Sequence, residues 1–273
     1  MSRKIIQVVS KLMTQHRPGF ASVDNFAHEI SIEPFLVFTE FNMDRQIFGP
    51  HPHAGVSVLT YMFPDSPGGF RNRDSRGDDS QILPGGAHIT QAGKGIQHDE
   101  TPIMENVNCH GMQIWINHSD ANRWVEPKAI HAMPDEIPTV QLGDATLRVV
   151  LGEHNGTASP LQPITAVQLY HVRASPGDEL TFDLPETAFI YVVHGQLDVS
   201  DKLLSTSDLA IFDPHPSQIE TFATEFCQFL VAGGVPHNEP IVYGGPYVAT
   251  TNEQLEETRR RFGRGEMGEL LPR

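Results

Sequence analysis

Cysteine is nearly absent from this chain: only Cys109 and Cys227 occur in 273 residues. Two thiols so far apart make no disulfide framework, and they are expected as small buried hydrophobes in a reducing compartment. Long apolar runs are missing too. No stretch approaches the roughly 20 apolar residues of a membrane span, and Met1 to Met13 lacks the continuous apolar core of a secretory signal. A cytoplasmic location is the expectation. Basic residues are scarce, 19 against 34 acidic ones, for a net charge of -15. A field of that sign opposes docking on phosphate backbones and anionic lipid, so neither direct nucleic-acid binding nor membrane binding is expected. The dense basic run Arg259-Arg260-Arg261 reads as the last turn of a helix, where cations complement the dipole. Nucleophile-elbow and phosphate-loop motifs are also lacking. Gly93-Lys94-Gly95 is followed by no helix signal.

What the chain has is a period of two. Val56 to Met62, Cys109 to Ile116, Ala145 to Leu151, Thr165 to Val172, Phe189 to Val193 and Glu225 to Ala232 are short β-rich runs. Turn formers such as Ser66-Pro67-Gly68-Gly69, Ser175-Pro176-Gly177-Asp178 and His194-Gly195 bound several of them. Many short strands joined by turns predict an all-β sandwich or barrel. One helix is predicted near the C-terminus, with Thr251 as N-cap, Gln254 three residues on, and a stop at Gly263. Beyond it, Gly265 to Arg273 is expected to be mobile. The proline-bearing segment Glu126 to Pro138 marks a candidate linker. A faint repeat straddles it. Thr60-Tyr61-Met62-Phe63 before a glycine turn matches Ile190-Tyr191-Val192-Val193-His194-Gly195, and Asp208 to Pro214 is matched with Gln81 to Pro84. The expected division is a metal-binding barrel over 1–130, a linker over 131–143, and a second barrel with the short helix over 144–273.

Two short motifs carry chemistry. In His51-Pro52-His53 the two imidazoles stand at i and i+2, which share one face of a strand. In Gly93-Lys94-Gly95-Ile96-Gln97-His98-Asp99-Glu100, His98 and Glu100 have the same spacing. Alone, each is weak, because 14 histidines produce such pairs easily. Together, from neighbouring strands, they offer three nitrogens and a carboxylate. That donor set suits one borderline ion, Fe(II), Mn, Ni, Cu or Zn, and leaves positions open for substrate. No thiolate takes part, which argues against a structural zinc site. Trp115 and Trp124 are expected in the core or an interface. His110, His118, His131, His154, His171 and His237 have no partner at ligand spacing, and His194 and His215 read as turn residues.

The motifs occur in a familiar order. Pro50-His51-Pro52-His53-Ala54-Gly55, Arg73-Asp74-Ser75, Pro84-Gly85, Ala92 to Glu100, Gly111 to Asn117 and Asn238 to Val248 together resemble the pirin family, over both halves of the chain. The resemblance implies a bicupin, two cupin-type barrels face to face, with a single metal, usually iron, in the N-terminal one. The family's ligand motifs fall on His51, His53, His98 and Glu100. It also implies a dioxygenase of the quercetin 2,3-dioxygenase type, opening a flavonol-like substrate with O2. Within that chemistry Glu100, on loosening from the metal, is expected to take the substrate's proton, as both ligand and general base. The alternative it carries is a redox-responsive regulator acting through a protein partner. A monomer or weak dimer is expected. The chain departs from the family pattern at Ala54, Ser57 and Asn72-Arg73, positions expected near the metal pocket or its rim. His88, one residue short of a general cupin spacing, is expected as a non-ligand strand residue, since a one-residue slip reverses a side chain's face. Aligning Tyr61 with Tyr191 puts Thr181 and Asp183 in place of His51 and His53, so the second barrel is expected to hold no metal.

Overall fold

The computed structural model describes residues 3–215 and 217–272. Each half of the chain is a seven-stranded antiparallel sheet backed by a four-stranded one. In the first half the large sheet runs Lys128–Ala132, Ala87–Gln91, Val56–Met62, Cys109–Asn117, Phe35–Met43, Phe20–Phe26, Thr14–Arg17. Its small sheet runs His51–His53, Ile96–Pro102, Phe70–Asp74, Asp79–Ile82. The second half repeats this plan, with Glu179–Phe182, Ile219–Ala223, Gln196–Val199 and Lys202–Ser205 as its small sheet. The all-β, two-cupin expectation is met, with one refinement: the sheets pack as open jelly-roll sandwiches and do not close into barrels.

The two large sheets pack against each other. Phe38, Leu59, Phe63 and Ile114 from one meet Phe189, Leu209 and Leu230 from the other in one apolar cluster. Phe38 and Phe189 sit edge to face, with ring centroids 4.9 Å apart, the geometry aromatic quadrupoles favour. Val56–Met62 is buried at every position because it is covered on both faces: Leu59 and Tyr61 point to the partner sheet, Val56 and Val58 into the first half's own interior.

The sequence repeat is a structural one. Tyr61 lies opposite Met112, itself opposite Glu40; Tyr191 lies opposite Leu230, itself opposite His171. Across the interface the pairs exchange partners. The Tyr61 hydroxyl bonds His171 Nδ1 at 2.9 Å, and the Tyr191 hydroxyl donates to Glu40 Oε2. The match of Asp208 to Pro214 with Gln81 to Pro84 does not hold. Asp208–Phe212 lies beside Thr187–His194 just as Ala87–Gln91 lies beside Val56–Met62.

Both ends of the chain cross over. Ile5–Ser10 pairs with Asp208–Phe212 and completes the second half's large sheet. It takes the edge that Lys128–Ala132 takes in the first. The chain passes between halves over 133–138, because Lys128–Ala132 belongs to the first sheet and Thr139–Leu142 to the second. At the other end, Tyr247 bridges to Ala54 and Val248 joins Val56, Val58 and Ile96 in the first half's core. The predicted helix forms over Asn252–Gly263, with the Thr251 hydroxyl accepting from Gln254 N and Arg260 and Arg261 in its last turn. The tail expected to be mobile is docked at Met267 and Gly268, and Arg273, the last residue of that stretch, lies outside the described residues. Met267 is fully buried against Gly95, and the Ser75 hydroxyl donates to the Met267 carbonyl at 2.6 Å. Gly95 has φ +126, open only to glycine, and its missing Cβ makes room for the Met267 side chain. Cys109 and Cys227 are free and buried, as expected. No helix among the described residues is long and apolar enough to cross a membrane.

Two outcomes follow from this interface. Phe189→Ala should cost about 3–5 kcal/mol and still give one coincident unfolding transition in urea for both halves. Two separated transitions would show that the sheets fold independently. His171 is fully buried, and burial pulls its pKa from 6.5 to about 3. The unfolded chain therefore binds this proton more readily. The stability His171 contributes is complete above about pH 6.5 and is lost as pH falls from there toward 3. Melting temperatures from pH 7 to pH 4 should fall less steeply in His171→Gln than in the unaltered protein, and parallel curves would remove His171 from the account.

Candidate metal centre

The short strand His51–His53 pairs antiparallel with Ile96–Pro102, and the register sets His51 directly opposite His98. With His53 two residues on, the three rings share one face. Their centroids are 4.7 Å apart for His51–His98, 4.9 Å for His51–His53 and 5.0 Å for His53–His98. One nitrogen from each falls in a group whose members all lie within 4.8 Å of one another.

Hydrogen bonds leave the right nitrogens bare. His51 Nδ1 is 2.9 Å from the Gly49 carbonyl, so it carries the proton and Nε2 keeps its lone pair. His98 Nδ1 is 3.2 Å from Asn72 Oδ1 and 3.3 Å from Thr90 Oγ1. Its Nε2 is buried with no partner, and so is His53 Nδ1. Orphaned buried nitrogens are costly, and here they converge. Burial, reinforced by His51, lowers the His53 pKa to about 3. Burial, with His53 and His51 nearby, drives that of His98 well below the usual value. All of this favours neutral imidazoles, the form that binds metal. Three converging nitrogens of borderline softness fit one transition-metal ion.

Glu100 stands apart from that group. Its Oε2 accepts from Thr60 Oγ1 at 2.9 Å and from Gln113 Nε2 at 3.3 Å. Burial raises its pKa to about 7, against the lowering effect of those two bonds. The carboxyl therefore exchanges a proton near neutrality.

His51 and His53 open onto a cavity of about 830 Å³. Phe20, Phe41, Phe48, Phe70 and Trp115 make it apolar, and Glu100, Gln113, His51 and His53 give it polar points. Tyr243, Gly245 and Pro246, from the crossing C-terminal segment, form part of its wall, and His53 bonds the Pro246 backbone.

Several of these residues were not expected. Trp115, expected in the core or an interface, lines the cavity with its ring 4.8 Å from that of His53. Gln113 shares its face by the same i, i+2 rule that marked the histidines, and that alternation was the signal available. Asn72 is fully buried and ties His98 to Asp78, to whose Oδ2 it donates at 2.8 Å. The other departures from the family pattern turn away from the metal group, contrary to expectation. Ala54 packs on Tyr247, Ala249 and Leu255. The Ser57 hydroxyl bonds His118 Nε2 at 2.8 Å, and Arg73 pairs with Asp99. In the second half, the strand matching His51–His53 turns Leu180 and Phe182 into an apolar core. Thr181, exposed on that strand, is not the equivalent of His51; the register is displaced by one residue, which reverses the face.

The Pirin family model matches residues 7–116, and the model described as the pirin C-terminal cupin domain matches residues 169–268. A Vibrio cholerae protein named "Putative quercetin 2,3-dioxygenase" is 32% identical over 86% of this chain and 86% of its own length. A crystal structure of quercetin 2,3-dioxygenase from Acinetobacter baumannii superposes with TM-score 0.89 at 24% identity, covering 99% of this chain and all (100%) of that one. A bacterial pirin from Escherichia coli solved in complex with nickel(II) superposes with TM-score 0.66 at 23% identity, covering 84% of this chain and 100% of that one.

The Asn72 bridge has a measurable consequence. Asn72→Ala frees His98 to turn and should weaken Ni(II) binding by about 10–100-fold, read by calorimetric titration of chelator-stripped protein. Unchanged affinity would show that Thr90 alone orients the ring.

Proposed function

This chain belongs to the pirin family, and on that premise we propose that it is a mononuclear metal-dependent dioxygenase of the quercetin 2,3-dioxygenase type. The observation that carries the reading is the convergence of His51, His53 and His98, two of them with a buried partnerless nitrogen, beside an apolar cavity of about 830 Å³. A pocket that is aromatic-walled, with few polar points, suits a flat, neutral polyphenol. The acidic chain, -15 overall, disfavours polyanionic ligands.

In this reading His51, His53 and His98 hold the ion, and Glu100 joins them or stands beside them as base. Fe(II) is the first choice, with Mn, Ni, Cu and Zn tolerated by the same donors. When bound, the ion supplies Lewis acidity toward an enolic oxygen and, if iron, manganese or copper, a one-electron couple. The remaining work falls to the chain. Phe41, Phe70 and Trp115 stack on the planar substrate and exclude water. Thr60 and Gln113 hold Glu100 by Oε2, which leaves Oε1 to take the substrate's hydroxyl proton. A carboxyl whose pKa is about 7 is matched to that transfer at neutral pH. Ring opening with two oxygen atoms incorporated and carbon monoxide released completes the reaction type.

Purified protein, loaded with Fe(II) and given quercetin in air, should bleach the flavonol band with carbon monoxide release. Glu100→Gln should lower kcat by about 10²–10⁴-fold, and its metal content decides between the two roles: full loading marks a base, lost loading a ligand. Full iron loading without turnover of any flavonol would sink the dioxygenase reading and favour the redox-responsive regulator.

A further inference from the structure

The inner face of the first half's large sheet carries a polar row. Asp24 lies directly opposite Thr39, Thr39 opposite Gln113, and Gln113 opposite Thr60, so the four side chains share that face. At one end of the row Thr60 and Gln113 hold Glu100. At the other end stands Asp24. Among the described residues that line the cavity, Asp24 and Glu100 are the two carboxylates. Neighbouring strands lie about 4.8 Å apart, which sets Asp24 about 10 Å along the sheet from Gln113 and the end that holds Glu100.

The row interrupts an apolar wall. Phe26 stands two residues from Asp24 on the same strand, and Val37 and Phe41 flank Thr39 on the next. A carboxylate in such a wall is costly unless its oxygens are bonded. Thr39 Oγ1 donates to Oδ1 at 2.9 Å, and Ser22 Oγ donates to Oδ2 at 2.8 Å. Ser22 Oγ is in turn 2.7 Å from His16 Nε2, which lies 3.6 Å from Asp24 Oδ2. The Lys11 ammonium goes to the Asp24 carbonyl and to Glu29, not to the Asp24 carboxylate. A carboxylate offers about four lone-pair sites, and the two hydroxyls occupy one on each oxygen. The group is thus oriented by its neighbours on the sheet and keeps acceptor capacity for the cavity. What it recognises there is a donor.

We propose that Asp24 is a specificity-determining residue of the cavity, accepting hydrogen bonds from hydroxyls on the far ring of a flat polyphenol whose reacting hydroxyl faces Glu100. This rests on the dioxygenase reading for the reacting end and adds the substrate class: a polyphenol with donors at both ends, not one with a bare phenyl ring. A site that presents an oriented acceptor rejects an analogue lacking the hydroxyl, because the acceptor then loses water and gains no partner. The Asp24 side chain is 30% exposed, so solvent relieves part of that penalty. The discrimination is therefore about tenfold, far below that of a sealed site.

The test is calorimetric titration of the Ni(II)-loaded full chain, kept free of oxygen, with quercetin and with galangin, a flavonol that has no hydroxyl on its far ring. Quercetin should bind about tenfold tighter. Asp24→Asn, which keeps the shape and replaces one acceptor oxygen by a donor, should bring the ratio close to one. Asp24→Leu should reverse it in favour of galangin. Nickel content and circular dichroism report an intact fold in both. Equal affinity of the unaltered chain for the two flavonols overturns the proposal. So does a preference for quercetin that survives both substitutions, and so does binding of neither compound. The dioxygenase reading fails separately. An Asp24-dependent preference without turnover by the iron-loaded protein in air keeps the subsite and removes the chemistry. Turnover of both flavonols with equal affinity keeps the chemistry and removes the subsite.

Discussion

Face-to-face packing of the two seven-stranded sheets is the constraint on which the rest depends. Each large sheet is buried on both sides, by the partner sheet and by the half's own four-stranded layer. Side chains of one parity, Leu59, Tyr61, Phe189 and Tyr191, are thereby committed to the interface. Only the other parity is free to fill the two interiors. The polar groups that must sit in the interface are paired across it, Tyr61 with His171 and Tyr191 with Glu40, because an unpaired hydroxyl there would cost more than the pairing yields. Glu40 is further held by His110 Nε2 at 2.6 Å. Four of these groups occupy two equivalent places in the repeat, so the crossing bonds fix the register of one half against the other.

With the interface fixed, the two halves differ in what they put inside. The second interior is filled by Leu180, Phe182, Val199, Phe229 and Val231 into a continuous apolar core. The first splits its apolar residues into two smaller clusters and spends its remaining inward positions on His53, His98, Glu100, Thr60 and Thr90, all buried. The cavity is therefore the consequence of one copy of the repeat retaining polar inward residues on a scaffold that the other copy fills with hydrocarbon.

How much of this the sequence disclosed follows from range. Strand alternation and the i, i+2 pairs are local, so His51, His53 and His98 were legible, as were the Thr251 cap and the helix end. Which strand lies opposite which is not local. The pairing of Ile5–Ser10 with Asp208–Phe212 joins residues some 200 positions apart, and nothing in either segment names its partner. The docked tail was missed for a related reason. Gly265 to Arg273 is polar and glycine-bearing, the composition of a mobile end, yet Met267 alone finds a niche over Gly95. The displaced match at Thr181 came from aligning a repeat by counting from Tyr191. One residue of difference in turn length between the copies is enough to reverse the face.

The crossing of the C-terminal segment gives the metal group a dependence that its own motifs do not show. Pro246 bonds His53, Tyr243 and Gly245 wall the cavity, and Val248 N donates to the Ala54 carbonyl at 3.0 Å, one residue beyond His53. Further along, Gln97 Nε2 donates to the Gly268 carbonyl, beside His98. Both strands that carry the histidines are thus braced by residues more than 140 positions away in sequence. The brace is itself seated by Arg123, whose guanidinium donates to the Gly55 and Val248 carbonyls at 3.1 and 3.0 Å. A short three-residue strand such as His51–His53 has few ladder bonds of its own to hold two imidazoles in line. Its geometry is secured from outside, by the contacts that Pro246 and Val248 make with His53 and Ala54.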